Sequence, residues 1–205
     1  MAERGALASA SFENWPAGTP LIRIHASSFH ATQFNPCMGD PTRFAPVRVK
    51  GTCVPTLYGA ETLRAALAET VLHDLDVADP FASVPQWKLT DRSLSSVVAT
   101  RPLKLIKLYR MELGKMGRKH AEHFAFDRAG YALCQTLAAE LYQEHADADG
   151  LIWMSVRDDT KRACLLFEDR AGAALTPQTE EPLARKGPAL NAVLAQLDEL
   201  GIGVS

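Results

Sequence analysis

The sequence predicts an α+β fold, with a compact mixed or antiparallel sheet core and flanking helices. Three observations carry this expectation. Short apolar stretches of strand length recur along the chain, and two or three segments of helical periodicity lie between them. Two further apolar stretches flank the charged turn Arg157-Asp158-Asp159-Thr160, as the arms of an antiparallel hairpin would. At 205 residues the chain fits one domain with length left for a terminal extension.

Taken in order, residues 1–19 read as an N-terminal extension. Residues 20–27 (PLIRIHAS) set Leu21, Ile22 and Ile24 against polar Arg23 and His25, the pattern of a half-buried strand. Residues 28–55 are rich in Pro, Gly, Asn and Asp and read as a long loop, a kind that often carries function. TLYGA at 56–60 reads as a short strand entering a helix over 61–75, where Leu63, Leu67, Val71 and Leu75 recur every four residues. A turn-rich break at 79–85 and a weak segment precede a strand at 103–109. A second helix is expected over 128–144, with Asp127 placed to cap it. Strands follow at 151–156 (LIWMSV) and 163–167 (ACLLF). Residues 171–187 read as a connector. A last amphipathic helix begins at Pro188 and stops at Gly201.

Composition narrows the function classes. Hydrophobic residues at 47% and charged residues at 22% are ordinary globular usage, so a core is expected. A net charge of -2 argues against direct nucleic-acid binding, which leaves a basic footprint, and Arg118-Lys119-His120 is a short cluster that reads as a solvated turn. Cys37, Cys53, Cys134 and Cys164 lack C-x-x-C spacing, so they read as reduced, partly buried thiols in a reducing compartment. No secretory signal pattern opens the chain and no 18-residue apolar run occurs, so a cytoplasmic, non-membrane protein is expected. Dinucleotide-fold, P-loop and nucleophile-elbow motifs are absent.

Five residues stand out for chemistry. Glu69 lies opposite Leu67 and Val71, on a helix face shared with Ala65, Ala66, Leu72 and His73. A carboxylate among small apolar side chains either meets solvent or lines a cleft. Arg23 and Arg43 either pair with carboxylates of their own protein or form an anion site, for which a planar guanidinium is suited. Tyr58 is either a core tyrosine or a ring face for a flat ligand. Ser155, ending an apolar strand, either forms a turn or lines a cleft. Glu69 and His73, four residues apart, are too few ligands to suggest a metal.

Several stretches together resemble the RES domain. They are LIRIHASSFHATQFNP at 21–36, PTRFAP at 41–46, LYGAETLRAALAETVLHDL at 57–75, DGLIWMSVRDD at 149–159 and CLLFEDR at 164–170. The resemblance spans residues 21–170, and the domain is expected over 20–170. It implies a fold related to ADP-ribosyltransferase toxins, consumption of NAD+, and a toxin–antitoxin pair with an Xre-like antitoxin covering the cleft. By matching motif, Arg43 is the family arginine, Tyr58 the tyrosine after it, Glu69 the glutamate and Ser155 the serine, while Arg23 matches the arginine of the first strand. The chain departs from the pattern at Cys37-Met38, where many relatives have Gly, and at Thr42, where Gly is also common.

Glu69 and Arg43 are thus expected to be catalytic, with Arg23, Tyr58 and Ser155 binding substrate. NAD+ is the expected substrate and inorganic phosphate a co-substrate; no cofactor or metal is expected. A mono-ADP-ribosyltransferase acting on a host protein and a non-catalytic interaction module are the competing readings. The apolar face of the C-terminal helix (residues 188–205) has three readings: packing on its own domain, a homodimer contact, or an antitoxin contact.

Overall fold

The computed structural model describes residues 6–76, 79, 81–124 and 130–205. Eight strands form one sheet in the order β1-β8-β9-β10-β5-β2-β7-β11. They are β1 (Phe12–Trp15), β2 (Pro20–Ala26), β5 (Thr56–Ala60), β7 (Arg92–Ala99), β8 (Leu103–Lys107), β9 (Gly150–Met154), β10 (Arg162–Phe167) and β11 (Leu175–Pro182). Every neighbouring pair is antiparallel except β8 and β9. The expected mixed, mainly antiparallel core is therefore present. Two small pairs complete the strands: a hairpin of β3 (Val47–Val49) and β4 (Thr52–Val54), and parallel β6 (Ser83–Val84) with β12 (Gly203–Val204).

The sheet is buried on both faces, which is why its central strands read as unbroken apolar runs. In β10, Ala163, Leu165 and Phe167 face one apolar cluster while Cys164 and Leu166 face the other. The larger cluster is covered by α1 (Leu63–Glu69), α2 (Tyr131–Glu144) and α3 (Pro188–Glu199). The α3 residues Ala189, Val193 and Leu197 are buried in it, so this helix packs on its own domain. Gly150 tolerates no side chain, because a Cβ there would collide with the Leu165 carbonyl of the adjacent strand.

Several local expectations need correction. Residues 12–15 of the supposed extension pair with β8, and Trp15 is fully buried. The supposed connector supplies β11, an edge strand whose register shifts between Pro177 and Thr179, as proline on an edge permits. The weak segment before residue 103 contains β7. The helix after β5 ends at Glu69 rather than continuing to residue 75. The Arg157 guanidinium instead donates to the carbonyls of His73 and Leu75, which a longer helix would leave pointing along its axis. Asp127 and Arg128, named for the second helix start, lie outside the described residues.

The loop at 28–55 is more ordered than expected, and its thiols are not both reduced. Cys37 and Cys53 form a disulfide, while Cys134 and Cys164 are free and buried. The β3–β4 hairpin turns through Lys50 and Gly51, both at positive φ (51° and 81°), which matches the twist of its strands.

Candidate active site

The site exists because two neighbouring strands part. β2 and β5 are registered only at Ile22↔Ala60. Beyond that pair, Thr56 exchanges its backbone hydrogen bonds with Asn35 instead (2.8 and 3.1 Å). A cavity of about 300 Å³ opens there, lined from β2 by Arg23, Ile24, His25 and Ala26 and from β5 by Thr56 and Tyr58. Arg43, Glu69, His73, Arg92 and Tyr131 line it as well. Four of the five residues singled out in the sequence thus share one cleft, of a size ordinary for ligand sites.

Glu69 is the last residue of α1, and its Oε1 accepts a hydrogen bond from the Val156 amide at 3.0 Å. Among the described residues that line the cavity it is the one carboxylate. The turn that supplies the amide is braced in three ways. Ser155 Oγ accepts from the Asp158 amide at 3.3 Å, Asp158 pairs with Arg64 at 3.4 Å, and Arg157 holds the chain after α1. Ser155 itself is fully buried and is absent from the cavity lining. Its hydroxyl holds the turn that holds Glu69.

Arg43 projects from the turn formed by residues 42–45. Its Nη1 donates to the His123 carbonyl at 2.9 Å, and its guanidinium lies over the rings of Phe124 (5.7 Å) and Tyr131 (5.4 Å). Two side chains fasten this turn. The Tyr58 hydroxyl accepts from the Phe44 amide at 3.1 Å and bonds Thr42 Oγ1 at 2.9 Å. From α2, Gln135 Nε2 donates to the Thr42 and Ala45 carbonyls at 2.8 and 3.1 Å. Burial pushes the Tyr58 phenol upward in pKa, so it stays protonated. The Tyr58 ring packs edge-on against Trp153 at the wall of the cavity, and its hydroxyl is committed to the Arg43 turn.

Arg23 is nearly buried, at 7% exposure. Its Nη1 donates to the Ala31 carbonyl and its Nη2 to the Gln33 carbonyl at 3.4 Å, tying down the loop that takes the place of β2 beside β5. Burial lowers its pKa to about 10, against which the Glu180 carboxylate acts, so the group remains a cation at neutral pH. His25, on the same strand face, accepts from or donates to Ser95 Oγ at 2.7 Å through Nε2 and meets the Ala26 carbonyl at 3.1 Å through Nδ1. Because a carbonyl can only accept, the proton sits on Nδ1 and Ser95 donates to Nε2. Burial, followed by the nearby Arg23 charge, lowers the His25 pKa below the usual imidazole value.

Sequence reasoning missed Gln135, Arg92 and Tyr131. Gln135 sits on an exposed-looking helix position, Arg92 opens a strand that was not anticipated, and Tyr131 reads as one more apolar helix residue. Only a three-dimensional arrangement distinguishes them. Among the described residues, no group of three or more His, Cys, Asp or Glu is placed to hold a metal, and no helix is long and apolar enough to cross a membrane.

The comparisons with known proteins agree with this architecture. A structure of the M. tuberculosis MbcT–MbcA toxin–antitoxin complex contains a similar chain, at 14% identity and a TM-score of 0.63, over 87% of this chain and 90% of that one. At that identity the likeness speaks to the fold. No curated protein matches the chain. The family model of the RES domain matches residues 20–186, which reaches past the expected boundary and takes in β11. The chain belongs to the RES domain family.

Proposed function

We propose that this chain is the toxin of a toxin–antitoxin pair and that it destroys NAD+ by cleaving the nicotinamide–ribose bond. The observation that carries this reading is the pairing of Glu69 with Arg43 in one cleft, each fixed by its own set of hydrogen bonds. Family membership and the likeness to a chain of a toxin–antitoxin complex support the toxin role, with an Xre-like antitoxin as partner and the cytoplasm as place of action.

The chemistry suits a single carboxylate. Nicotinamide leaves NAD+ as a neutral molecule from a cationic pyridinium, so its departure requires no general acid. Positive charge builds on the ribose carbon as in glycoside cleavage. Glu69, held in place before the reaction, would stabilise that charge, an effect worth roughly 3–4 kcal/mol by analogy with single preorganised donors in other sites. Arg43 would grip phosphate oxygens, and the Tyr131 ring it rests on offers a wall for a flat ring. Inorganic phosphate, water or a protein side chain could then accept the ADP-ribosyl group.

Purified, antitoxin-free protein incubated with NAD+ should release nicotinamide. Rising NAD+ loss with added phosphate, and a phosphorylated ADP-ribose product, would identify phosphorolysis. Free ADP-ribose at every phosphate level would identify hydrolysis, and ADP-ribose on lysate proteins would identify transfer. Undiminished NAD+ in all three arms would refute the enzymatic reading.

A further inference from the structure

The two arginines expected to grip phosphate are not equally free to do so. Both terminal nitrogens of Arg23 are engaged with the Ala31 and Gln33 carbonyls, and its Nε is buried without a partner. Rotating Arg23 toward a ligand would release the loop at 29–35 and leave the buried Ala31 carbonyl without its donor. Arg23 is therefore a wall residue of the cleft.

Arg92 differs. It is the first residue of β7, paired in register with Ala26 at the end of β2, and it lines the same cavity. Its Nε donates to the Lys88 carbonyl at 3.0 Å, which fixes the plane of the guanidinium. Asp91 lies 3.8 Å from that same Nε and is largely exposed. The two terminal nitrogens of Arg92 have no partner among the described residues. The side chain is 28% exposed, and its charge reaches His25 inside the cleft. An arginine anchored at Nε on the wall of a cavity, with neither terminal nitrogen bonded among the described residues, can offer its fork to two oxygens of one phosphate.

We propose that Arg92 is a second phosphate-binding residue of the cleft, acting with Arg43, and that its fork takes oxygens of the dinucleotide's pyrophosphate or of incoming inorganic phosphate. This rests on the NAD+ reading above and adds a residue to it. The role is in binding: Arg92 holds substrate and leaves the charge at the ribose to Glu69.

The test is calorimetric titration of wild type, Arg92→Gln and Arg92→Lys with ADP-ribose and, separately, with inorganic phosphate. Thermal melting of each variant checks the fold. Arg92→Gln should weaken one of the two probes at least tenfold, and that probe names which phosphate the fork holds. Arg92→Lys cannot remake the Nε bond to Lys88 but keeps the charge. It should bind better than Arg92→Gln yet clearly short of wild type, because an ammonium keeps the charge without the two-nitrogen fork, whereas a purely structural role would leave both variants equally impaired. In turnover, Arg92→Gln should raise KM for the affected substrate tenfold with kcat within about twofold. Wild type binding either probe with Arg92→Gln unchanged for both would overturn the Arg92 assignment alone. Wild type binding neither would overturn the NAD+ reading and this inference together.

Discussion

Replacing Tyr58 by Phe separates two roles that the tyrosine could have, because the ring survives and only the hydroxyl is lost. That hydroxyl accepts from the Phe44 amide and bonds Thr42 Oγ1, on either side of Arg43. Phe44 is fully buried, with its ring 4.9 Å from Trp153 and 5.7 Å from Phe124, so its amide cannot readily turn to water. Leaving that donor without an acceptor costs about 1–3 kcal/mol, and the exposed Thr42 hydroxyl, which water can serve, adds little. The expected loss is about 2 kcal/mol. For a domain of this size that is a fall in Tm of about 4–8 °C, read by calorimetry. The loosened turn should also let Arg43 drift, with kcat/KM for NAD+ down about tenfold or more, since small misplacements of a positioning group are expensive. Gln135→Ala should act in the same direction, and the double variant should lose less than the two single losses added, because both side chains fasten one turn. If Tyr58→Phe melts and turns over like wild type, the hydroxyl does not position Arg43 and the fastening argument is wrong.

Other consequences follow from groups outside the Arg43 turn. The Cys37–Cys53 disulfide closes a separation of 16 residues, so replacing both cysteines by Ser should cost about 3 kcal/mol of stability. Thiol titration of denatured, unreduced protein should find Cys134 and Cys164 alone; reaction of all four cysteines would contradict the bridge. His25, His120 and His123 each have a pKa lowered by burial from the ordinary 6.5. The unfolded chain therefore takes up more protons than the folded one below about pH 6.5. Stability from these groups should be full above that value and fall as the pH drops through their lowered folded values. His25→Gln should flatten the dependence of Tm on pH below about 6.5, and a slope unchanged by the substitution would remove His25 from the explanation.

The legible parts of the sequence were those where apolar period and local geometry agree. Strands β5, β9 and β10 and helix α3 carry continuous or one-sided apolar patterns, and they lie close to where the pattern puts them. The strand β7 was invisible for a reason tied to the site. Its inward positions include Ser93 and Ser95, buried against β2, while Leu94 is only partly buried. Ser95 serves His25, so polar residues occupy the face that usually announces a strand. Edge strand β11 is polar and proline-bearing because an edge must resist further pairing, and that composition reads as a linker. Helix α1 was extended too far because Val71 and Leu75 continue the four-residue spacing of Leu63 and Leu67, although the chain has already turned at Thr70. Arg23, Arg43, Tyr58 and Glu69 were recognised by motif and do line one cavity. Their division of labour was not legible, since it depends on which nitrogens and hydroxyls the fold has already used. Ser155 illustrates this: its motif marks it as special, and its burial and bond to the Asp158 amide make it a support for the Glu69 turn.

Cleavage at the ribose carbon depends, in the proposed reaction, on the negative charge at position 69. Glu69→Gln keeps the oxygen that accepts from Val156, so the turn and the cleft should survive with Tm close to wild type. Nicotinamide release from NAD+, followed by chromatography for wild type and this variant at equal protein concentration, measures the charge alone. A loss of roughly 10²–10³-fold in a folded variant is the expected result. A folded Glu69→Gln protein that releases nicotinamide at the wild-type rate would contradict the account.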